Sequence, residues 1–458
     1  MAHETQMLLG LFLGIAVMII LVMKTKTHTF IALLLAALIA GLVGKMGPAA
    51  AISAIQDGFG NTLKSTGIII GLGVMMGGIL EKTGAAERLA FTFIKLIGKG
   101  KEELALGITG WLVSIPVFAD SAIVIFAPLS KAMSRVTGKS VVGLALALAC
   151  GLQCTHVMVP PTPGPLTAAG MLGVDVGQMI LAGAAMSVPI LIAALLYSNW
   201  VGKHIYQIPN EDGSFTRMEY KKEYLKTMDQ LEQVMNAKEL PALLPSIAPI
   251  LIPLVLILSK TVADFAGLEG GVAGTAINLV GSPIVALAIG TTLAVYGLGS
   301  KIEKEKLIGI MNDSIKDTGI IMLITGAGGS LGNVIKVSGI GDVLGATVMA
   351  WSIPAILIPV IIGALMRLAL GSATVAITTA ASLAAPLVGV LGVNPILLAQ
   401  ACCIGAIAFS YFNDSGFWVF NGMFGLTDIK DQLKCKSAVS MIMTGVGIAE
   451  LLLLNMFL

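Results

Sequence analysis

Pro161-Thr162-Pro163-Gly164 and Asn413-Asp414-Ser415-Gly416 each interrupt a long apolar segment, and the two stretches lie 252 residues apart. The same separation carries Thr66-Gly67-Ile68-Ile69 onto Thr318-Gly319-Ile320-Ile321. Helix-breaking interruptions at matching places in two halves of a chain are typical of transporters, whose binding sites lie at those interruptions. The repeat therefore predicts a protein that moves a small molecule across a membrane.

The composition indicates that lipid is the solvent of this chain. Of its 458 residues, 56% are hydrophobic and only 12% are charged. A water-soluble protein of this length would lack the polar surface to cover so much apolar side chain, so we expect an all-α polytopic membrane protein. The net charge of +2 gives no reason to expect a nucleic acid partner. Cys150 and Cys154 are four residues apart, but no further Cys or His completes a ligand set, so we expect no metal and no cofactor.

The apolar segments predict ten full spans in two repeats of five. Each repeat is also expected to hold a re-entrant hairpin and a broken helix, because irregular backbone at membrane depth is tolerated only where protein or a cavity surrounds it. The predicted boundaries are residues 1–200 for the first repeat with its hairpin at 104–136 and broken helix at 140–172, a cytoplasmic linker at 201–241, and residues 242–458 for the second repeat with its hairpin at 350–391 and broken helix at 395–425.

The distribution of positive charge supports this topology. All Lys and Arg residues fall on one face of the predicted membrane arrangement except Lys45, Lys64, Lys260, Lys336 and Arg367. Because positive charge marks the cytoplasmic side, both termini are expected outside. An odd number of spans in each half makes the two repeats inverted relative to each other.

Polar residues held at depth are the candidates for chemistry. Asp120 and Asp414 are acids far from any predicted boundary, where a carboxylate costs at least roughly 2.5–3.5 kcal/mol. Helix capping is the structural alternative for both, and it is compatible with a site, since helix N-termini attract anions. The candidate substrate-binding residues are Asp120 and Ser121 at the first hairpin tip, Arg367, Gly371, Ser372, Ala373 and Thr374 near the second, Thr162, Pro163 and Gly164 in the first broken helix, and Asn413, Asp414 and Ser415 in the second.

Two further charged or titratable residues have open interpretations. Arg367 either extends to the outer surface or pairs with a substrate carboxylate or a buried acid. His156, one turn before Pro160-Pro161, is either a structural hydrogen-bond donor or part of a proton route with Asp120 or Asp414.

Three motifs resemble the bacterial gluconate permease family, which belongs to a larger ion-transporter superfamily. They are Gly371-Ser372-Ala373-Thr374-Val375-Ala376, Val159-Pro160-Pro161-Thr162-Pro163-Gly164-Pro165 and Thr83-Gly84-Ala85-Ala86-Glu87-Arg88. The resemblance implies proton-coupled uptake of gluconate-like sugar acids across the bacterial cytoplasmic membrane. It also implies a homodimer of scaffold and transport domains that works as an elevator, with the ligand between two hairpin tips and two broken helices.

Our hypothesis is that the hairpin tips and the interruptions of the broken helices bind the substrate, and that Asp120 or Asp414 carries the proton. D-serine and D-glycerate remain alternative substrates, and sodium remains an alternative coupling ion, because Ser, Thr, Asn and Asp in broken helices suit sodium equally well. A more distant alternative is a membrane-embedded enzyme, since Gly328-Gly329-Ser330-Leu331-Gly332 matches a nucleophile-elbow pattern.

Overall fold

Long apolar runs in lipid must satisfy their own backbone hydrogen bonds, and this chain does so by forming helices. The computed structural model describes residues 3–25, 27–97, 100–210, 212–220, 240–268, 270–340, 343, 353–389, 392–411 and 414–457. Most of the described residues are helical. Two short strands, Gln207–Pro209 (β1) and Phe215–Arg217 (β2), form an antiparallel hairpin.

The helices of the first half precede that β-hairpin. They are α1 (His3–Met23), α2 (Thr29–Val43), α3 (Pro48–Lys82), α4 (Ala85–Ile97), α5 (Glu102–Val113), α6 (Ala119–Thr137), α7 (Val141–Met158), α8 (Pro163–Leu172) and α9 (Val176–His204).

The helices of the second half follow it. They are α10 (Leu243–Phe265), α11 (Gly271–Val280), α12 (Pro283–Leu293), α13 (Lys304–Val337), α14 (Leu357–Leu370), α15 (Ala373–Ala384), α16 (Pro395–Ile407), α17 (Ser415–Met423), α18 (Ile429–Gln432) and α19 (Ala438–Leu454).

The protein is a multi-pass membrane protein by the length and apolar character of its helices. Within the described ranges, five helices are long and apolar enough to cross a membrane, or up to seven if each of two bent pairs forms one span. Several shorter apolar helices, among them α2, α14, α15 and α16, occupy segments that the sequence assigns to further spans, hairpins and broken helices. The count of ten spans stays a prediction.

The segments predicted as hairpins and broken helices each contain two helices with a short interruption. In the first half, residues 114–118 separate α5 from α6, and residues 159–162 separate α7 from α8. In the second half, Gly371 and Ser372 separate α14 from α15, and residues 408–414 separate α16 from α17. Each interruption frees backbone N–H groups at the start of the helix that follows it.

The centre of the molecule is formed by α7 and α16, the first halves of the two broken helices. Nearly every side chain of α7 and α16 is buried. Both helices are largely apolar and show no amphipathic pattern, as expected for helices surrounded by protein. They pack against the hairpin helices α5 and α14 and so hold the interruptions near the middle of the fold.

Helices α3 and α13 pack closely in antiparallel orientation. Near the start of α3, a Cβ atom on Gly58 would lie 2.4 Å from the backbone oxygen of Gly329. Near its end, a Cβ atom on Gly78 would lie 2.0 Å from Oγ of Ser314. Residue numbers therefore fall along α13 as they rise along α3, and small residues allow the two backbones to approach.

The linker differs in part from its prediction. Helix α9 continues to His204, and the β-hairpin that follows is packed on the helical body. Nε2 of Gln207 donates to the Phe424 carbonyl oxygen at 2.8 Å, and Arg217 forms an ion pair with Asp431. Buried side chains such as Tyr206 explain the docking, since an apolar surface within a polar stretch is stabilised by burial. Residues 221–239 of the predicted linker lie outside the described residues.

The α3–α13 contact predicts a difference between two neighbouring glycines. Gly58→Ala must push the backbones apart and should destabilise the protein by roughly 1–3 kcal/mol. Gly60→Ala is the control, because a Cβ atom there meets nothing within 4 Å. Thermal unfolding of the purified protein in detergent measures both. Equal midpoints for the two variants would contradict the antiparallel contact.

Candidate functional site

Both hairpin turns and the second broken helix meet at one cavity of about 170 Å³. This volume is below the roughly 300 Å³ at which drug-sized pockets begin, so the cavity suits a small metabolite. Its walls come from residues 118–120 at the first turn, Arg367 and residues 371–374 at the second, Gln153 and His156 of α7, and Asp414 before α17.

Arg367 and Asp414 form a buried ion pair in the wall of this cavity. The two residues are only 3% and 5% exposed, and Nη2 of Arg367 lies 2.5 Å from Oδ2 of Asp414. Arg367 also donates from Nη1 to the carbonyl oxygen of Gly371, at the hairpin turn. The guanidinium therefore joins the second hairpin tip to the break in the second broken helix.

Asp414 has further donors besides the guanidinium. Oγ of Ser410 donates to Oδ2 of Asp414 at 2.6 Å, and the backbone N–H of Gly416 donates to Oδ1 at 3.0 Å. Asp414 is thus the N-cap of α17, which was one of its two interpretations. Several donors and a paired cation compensate the cost of burying this carboxylate.

Asp120 approaches the same helix terminus from the first hairpin. It lies in the first turn of α6 and is exposed, not buried as expected. Its Oδ1 lies 2.6 Å from the position that a Cβ atom on Gly416 would take, so the carboxylate rests against the first turn of α17. Two carboxylates therefore share the positive end of one helix.

The second hairpin turn is shaped by its own sequence. Gly371 has a φ of +75°, the left-handed conformation that ends α14 and favours glycine. Ser372 then caps α15 by accepting a hydrogen bond from the backbone N–H of Val375 at 3.4 Å. The start of α15, with Ala373 and Thr374, faces the cavity.

The separation of 252 residues also relates the caps of these helices. It carries Asp120 onto Ser372, and Thr162 onto Asp414. Gly416 lies against Asp120, and in the other half a Cβ atom on Gly164 would lie 3.6 Å from Cα of Thr374. A glycine of a broken helix thus lies against a hairpin segment in both places, but only the Gly416 contact involves a carboxylate.

His156 and Gln153 lie one turn apart on α7 and face the same cavity. The imidazole ring packs edge-to-face on Phe118 with ring centroids 5.6 Å apart. Its Nδ1 is buried and makes no hydrogen bond within the described part of the chain. The ring is therefore held in place with one nitrogen uncommitted.

The first broken helix contributes less to the cavity than the sequence predicts. Thr162 is buried and donates its hydroxyl to the Val159 carbonyl oxygen at 2.8 Å. Thr162, Pro163 and Gly164 support the second hairpin tip from behind and do not line the cavity. Asn413 and the side chains of Ser121 and Ser415 lie outside the described residues.

The sequence reading missed two residues of this region, Gln153 and Ser410. Gln153 is an amide inside the apolar run of α7, which is a detectable signal. Ser410 has no such signal, because its role depends on the fold of the break.

Three larger cavities lie elsewhere in the described part of the chain. One of about 300 Å³ is lined by α3, α8, α13 and α15, and includes Asn61 and Lys336. Another of about 1000 Å³ lies near Lys82, Lys306 and Asp313. The third, of about 230 Å³, lies beside Lys139. None of the three is lined by the buried ion pair or by the hairpin tips.

The nucleophile-elbow pattern has no elbow geometry. Ser330 lies within α13, and its Oγ donates to the Ile55 carbonyl oxygen at 2.8 Å. A nucleophile elbow requires a strand, a sharp turn and a helix, so this serine is a packing residue.

The buried ion pair predicts that a single variant loses more unfolding free energy than the double variant. Arg367→Met leaves a buried carboxylate without its cation and should cost roughly 3–5 kcal/mol of unfolding free energy. Adding Asp414→Asn removes that charge and should restore part of the loss. Lys260→Met is the control, because its partner Asp264 is about a third exposed and such pairs contribute roughly 0–1 kcal/mol. Unfolding in detergent measures all three. A cost for Arg367→Met no larger than that of Lys260→Met would refute the pair's structural role.

Comparison with known proteins agrees with this architecture. The chain is 43% identical to an uncharacterized permease of Haemophilus influenzae, over 98% of this chain and 92% of that protein. It is 32% identical to a gluconate permease of Pseudomonas aeruginosa, over 100% and 99% of the two chains.

Two solved structures share the fold at low sequence identity. MtrF of Neisseria gonorrhoeae matches with a TM-score of 0.66 at 16% identity, over 96% of this chain and 97% of MtrF. The YdaH transporter of Alcanivorax borkumensis matches with a TM-score of 0.65 at 14% identity, over 92% and 96%.

The family assignment rests on nearly the whole chain. The sequence model of the GntP family permeases matches residues 6–457. The two permeases named above match over 92% and 99% of their own lengths, and they are transporters, not enzymes. The chain therefore belongs to the GntP family of permeases.

Proposed function

We propose that this permease takes up gluconate, or a related small hydroxylated monocarboxylate, together with a proton across the bacterial cytoplasmic membrane. The observation that carries the proposal is the charge arrangement of the 170 Å³ cavity. Its Arg367 and Asp414 balance each other, and Asp120 adds one negative charge beside them. The gluconate permease of Pseudomonas aeruginosa supports the choice of substrate.

This arrangement gives a physical reason for coupling. With Asp120 ionised, the cavity is net negative and disfavours an anionic substrate. With Asp120 protonated, the cavity is neutral, and the positive ends of α15 and α17 attract the substrate carboxylate. Proton and sugar acid then favour each other's binding.

Asp120 is the better of the two candidate proton carriers. Asp414 accepts hydrogen bonds from Ser410 and Gly416 and pairs with Arg367, so its carboxylate oxygens already have partners within the protein. Asp120 is exposed in the cavity, where a proton can reach it through water. His156, with an uncommitted Nδ1, lines the same cavity and is a further candidate for the proton route.

Different groups are proposed to bind the carboxylate and the hydroxyl groups of the substrate. The start of α15 at Ser372, Ala373 and Thr374 offers hydroxyl and N–H donors to the carboxylate. Asn413 and the hydroxyls of Ser121 and Ser415, on the neighbouring turns, remain proposed contributors to hydroxyl binding. Thr162 with Pro163 and Gly164 is proposed to position the hairpin tip.

We further infer that the two halves are inverted repeats that move as an elevator, with both termini outside and two copies forming a dimer. Helices α3 and α13 correspond under the 252-residue shift and pack antiparallel, as inverted elements would. The same shift carries Gly58 and Asn61 of the 300 Å³ cavity onto Ile310 and Asp313 of the 1000 Å³ cavity. Equivalent crevices on opposite sides are what alternating access requires.

The alternatives are D-serine or D-glycerate as the substrate and sodium as the coupling ion. Both substrates carry a carboxylate and a hydroxyl group that fit the same polar groups. Sodium would take the place of the proton in balancing Asp120. Transport measurements separate these cases directly.

Uptake into proteoliposomes tests the proposal. With an inwardly directed proton gradient and no sodium, labelled gluconate should accumulate, and a protonophore should abolish the accumulation. Unlabelled gluconate should compete better than D-serine or D-glycerate. A requirement for sodium would contradict proton coupling, and the absence of gluconate uptake would contradict the substrate.

Asp120→Asn tests the proton carrier. The variant should lose accumulation against a gradient and keep gluconate exchange, because a neutral side chain permits anion binding but transfers no proton. Glu450→Gln is the control, since Glu450 is an acid within α19 that does not line the cavity. If Asp120→Asn still accumulates gluconate, the proton is carried elsewhere.

A further inference from the structure

Most polar groups around the 170 Å³ cavity already have partners within the protein. Asp414 is bonded to Arg367, Ser410 and Gly416, and Arg367 is also bonded to Gly371. These groups fix the shape and charge of the cavity, and their hydrogen-bonding capacity is largely used.

Gln153 is different, because its side-chain amide makes no hydrogen bond to any residue in the described ranges. It lies on α7 between Leu152 and Cys154, which are fully buried, and is itself only partly exposed, toward the cavity. A polar group removed from water costs free energy unless it is hydrogen-bonded. Its partner is therefore water or a ligand group in the cavity.

Thr374 at the hairpin tip is a further uncommitted group, besides Nδ1 of His156. It is only 6% exposed, lines the cavity, and its hydroxyl has no partner among the described residues. It lies at the N-terminus of α15, where an anion is stabilised. Thr374 thus suits the carboxylate end of a ligand.

The side chain of Gln153 differs from the carboxylates and the guanidinium of the cavity wall, because each of those groups when charged only accepts or only donates hydrogen bonds. A glutamine side chain offers both donors and an acceptor, so one hydroxyl group can donate to it and accept from it at once. A carboxylate cannot donate and would leave the amide oxygen unsatisfied. The amide therefore matches a sugar hydroxyl better than it matches the acid group.

We propose that Gln153 determines specificity by hydrogen-bonding one hydroxyl group of the substrate chain, while the carboxylate lies at Thr374. This inference rests on the proposed sugar-acid function. It identifies the Gln153 end of the cavity as the part that distinguishes hydroxylated acids from their deoxygenated analogues. A site built to bond a hydroxyl group discriminates against ligands that lack it, because its polar group is then left unpaired.

The test is a ligand-and-variant cycle on the purified full-length protein. Competition against labelled gluconate gives the affinity of gluconate and of each monodeoxygluconate for wild type, Gln153→Ala and Gln153→Met. Gluconate should bind both variants about three- to tenfold more weakly than wild type, the loss of one hydrogen bond. One monodeoxy analogue should bind both variants no more weakly than it binds wild type, because it already lacks the hydroxyl group that Gln153 bonds.

Gln400→Ala is the matched control. Gln400 is a buried amide at the centre of α16, and its Nε2 donates to the Met158 carbonyl oxygen at 3.1 Å. Its loss should lower the unfolding temperature and leave the order of the analogues unchanged. Gln153→Met keeps the side-chain length, so it reports on binding even if Gln153→Ala folds poorly.

The outcomes separate the two proposals. If wild type does not bind gluconate, the proposed function fails. In the other case, wild type binds gluconate, but each monodeoxygluconate, relative to gluconate, loses the same affinity in wild type and in both Gln153 variants. That result would overturn the role of Gln153.

Discussion

The ion pair of Arg367 and Asp414 is the interaction on which the rest of the site depends. Two charges are buried in a membrane protein, where isolated ions are costly, and they persist because each compensates the other and both have further hydrogen bonds. The pair joins the tip of the second hairpin to the break in the second broken helix. The N-termini of α15 and α17, which face the cavity, are thereby held in a fixed relation.

The two halves of the chain are related in sequence but carry different charges at equivalent positions. Asp120 corresponds to Ser372, and Asp414 corresponds to Thr162. Acids thus stand at one pair of helix-start positions, and hydroxyl residues stand at the corresponding pair. We interpret the acidic contact as the place of the proton and the hydroxyl-bearing tip as the place of the substrate carboxylate. This division would let one cavity bind an anion and a proton side by side.

Much of this architecture is predictable from sequence, because helix breakers and charges inside apolar segments are rare and expensive. Asp120, Arg367 and Asp414 were identified for that reason, and the structure places all three at one cavity. The charge of Asp120 was expected to be buried, whereas it is exposed in the cavity, since hydropathy does not reveal where water enters a fold.

Other features depend on tertiary contacts that no local pattern encodes. Helix α7 has no amphipathic pattern, so the sequence marks Gln153 and His156 as unusual polar residues without indicating that they face the cavity. Thr162 was expected to bind substrate, but its hydroxyl is bonded to the backbone of its own turn. The docking of the β-hairpin was missed because the polar composition of residues 201–241 resembles that of a solvated linker.

The location of the substrate is the central claim, and a cryo-EM map of the protein with gluconate tests it most directly. The account predicts ligand density between Thr374 and Gln153, beside the ion pair of Arg367 and Asp414. Density in the larger crevice lined by Asn61 and Lys336, with the 170 Å³ cavity empty, would contradict it.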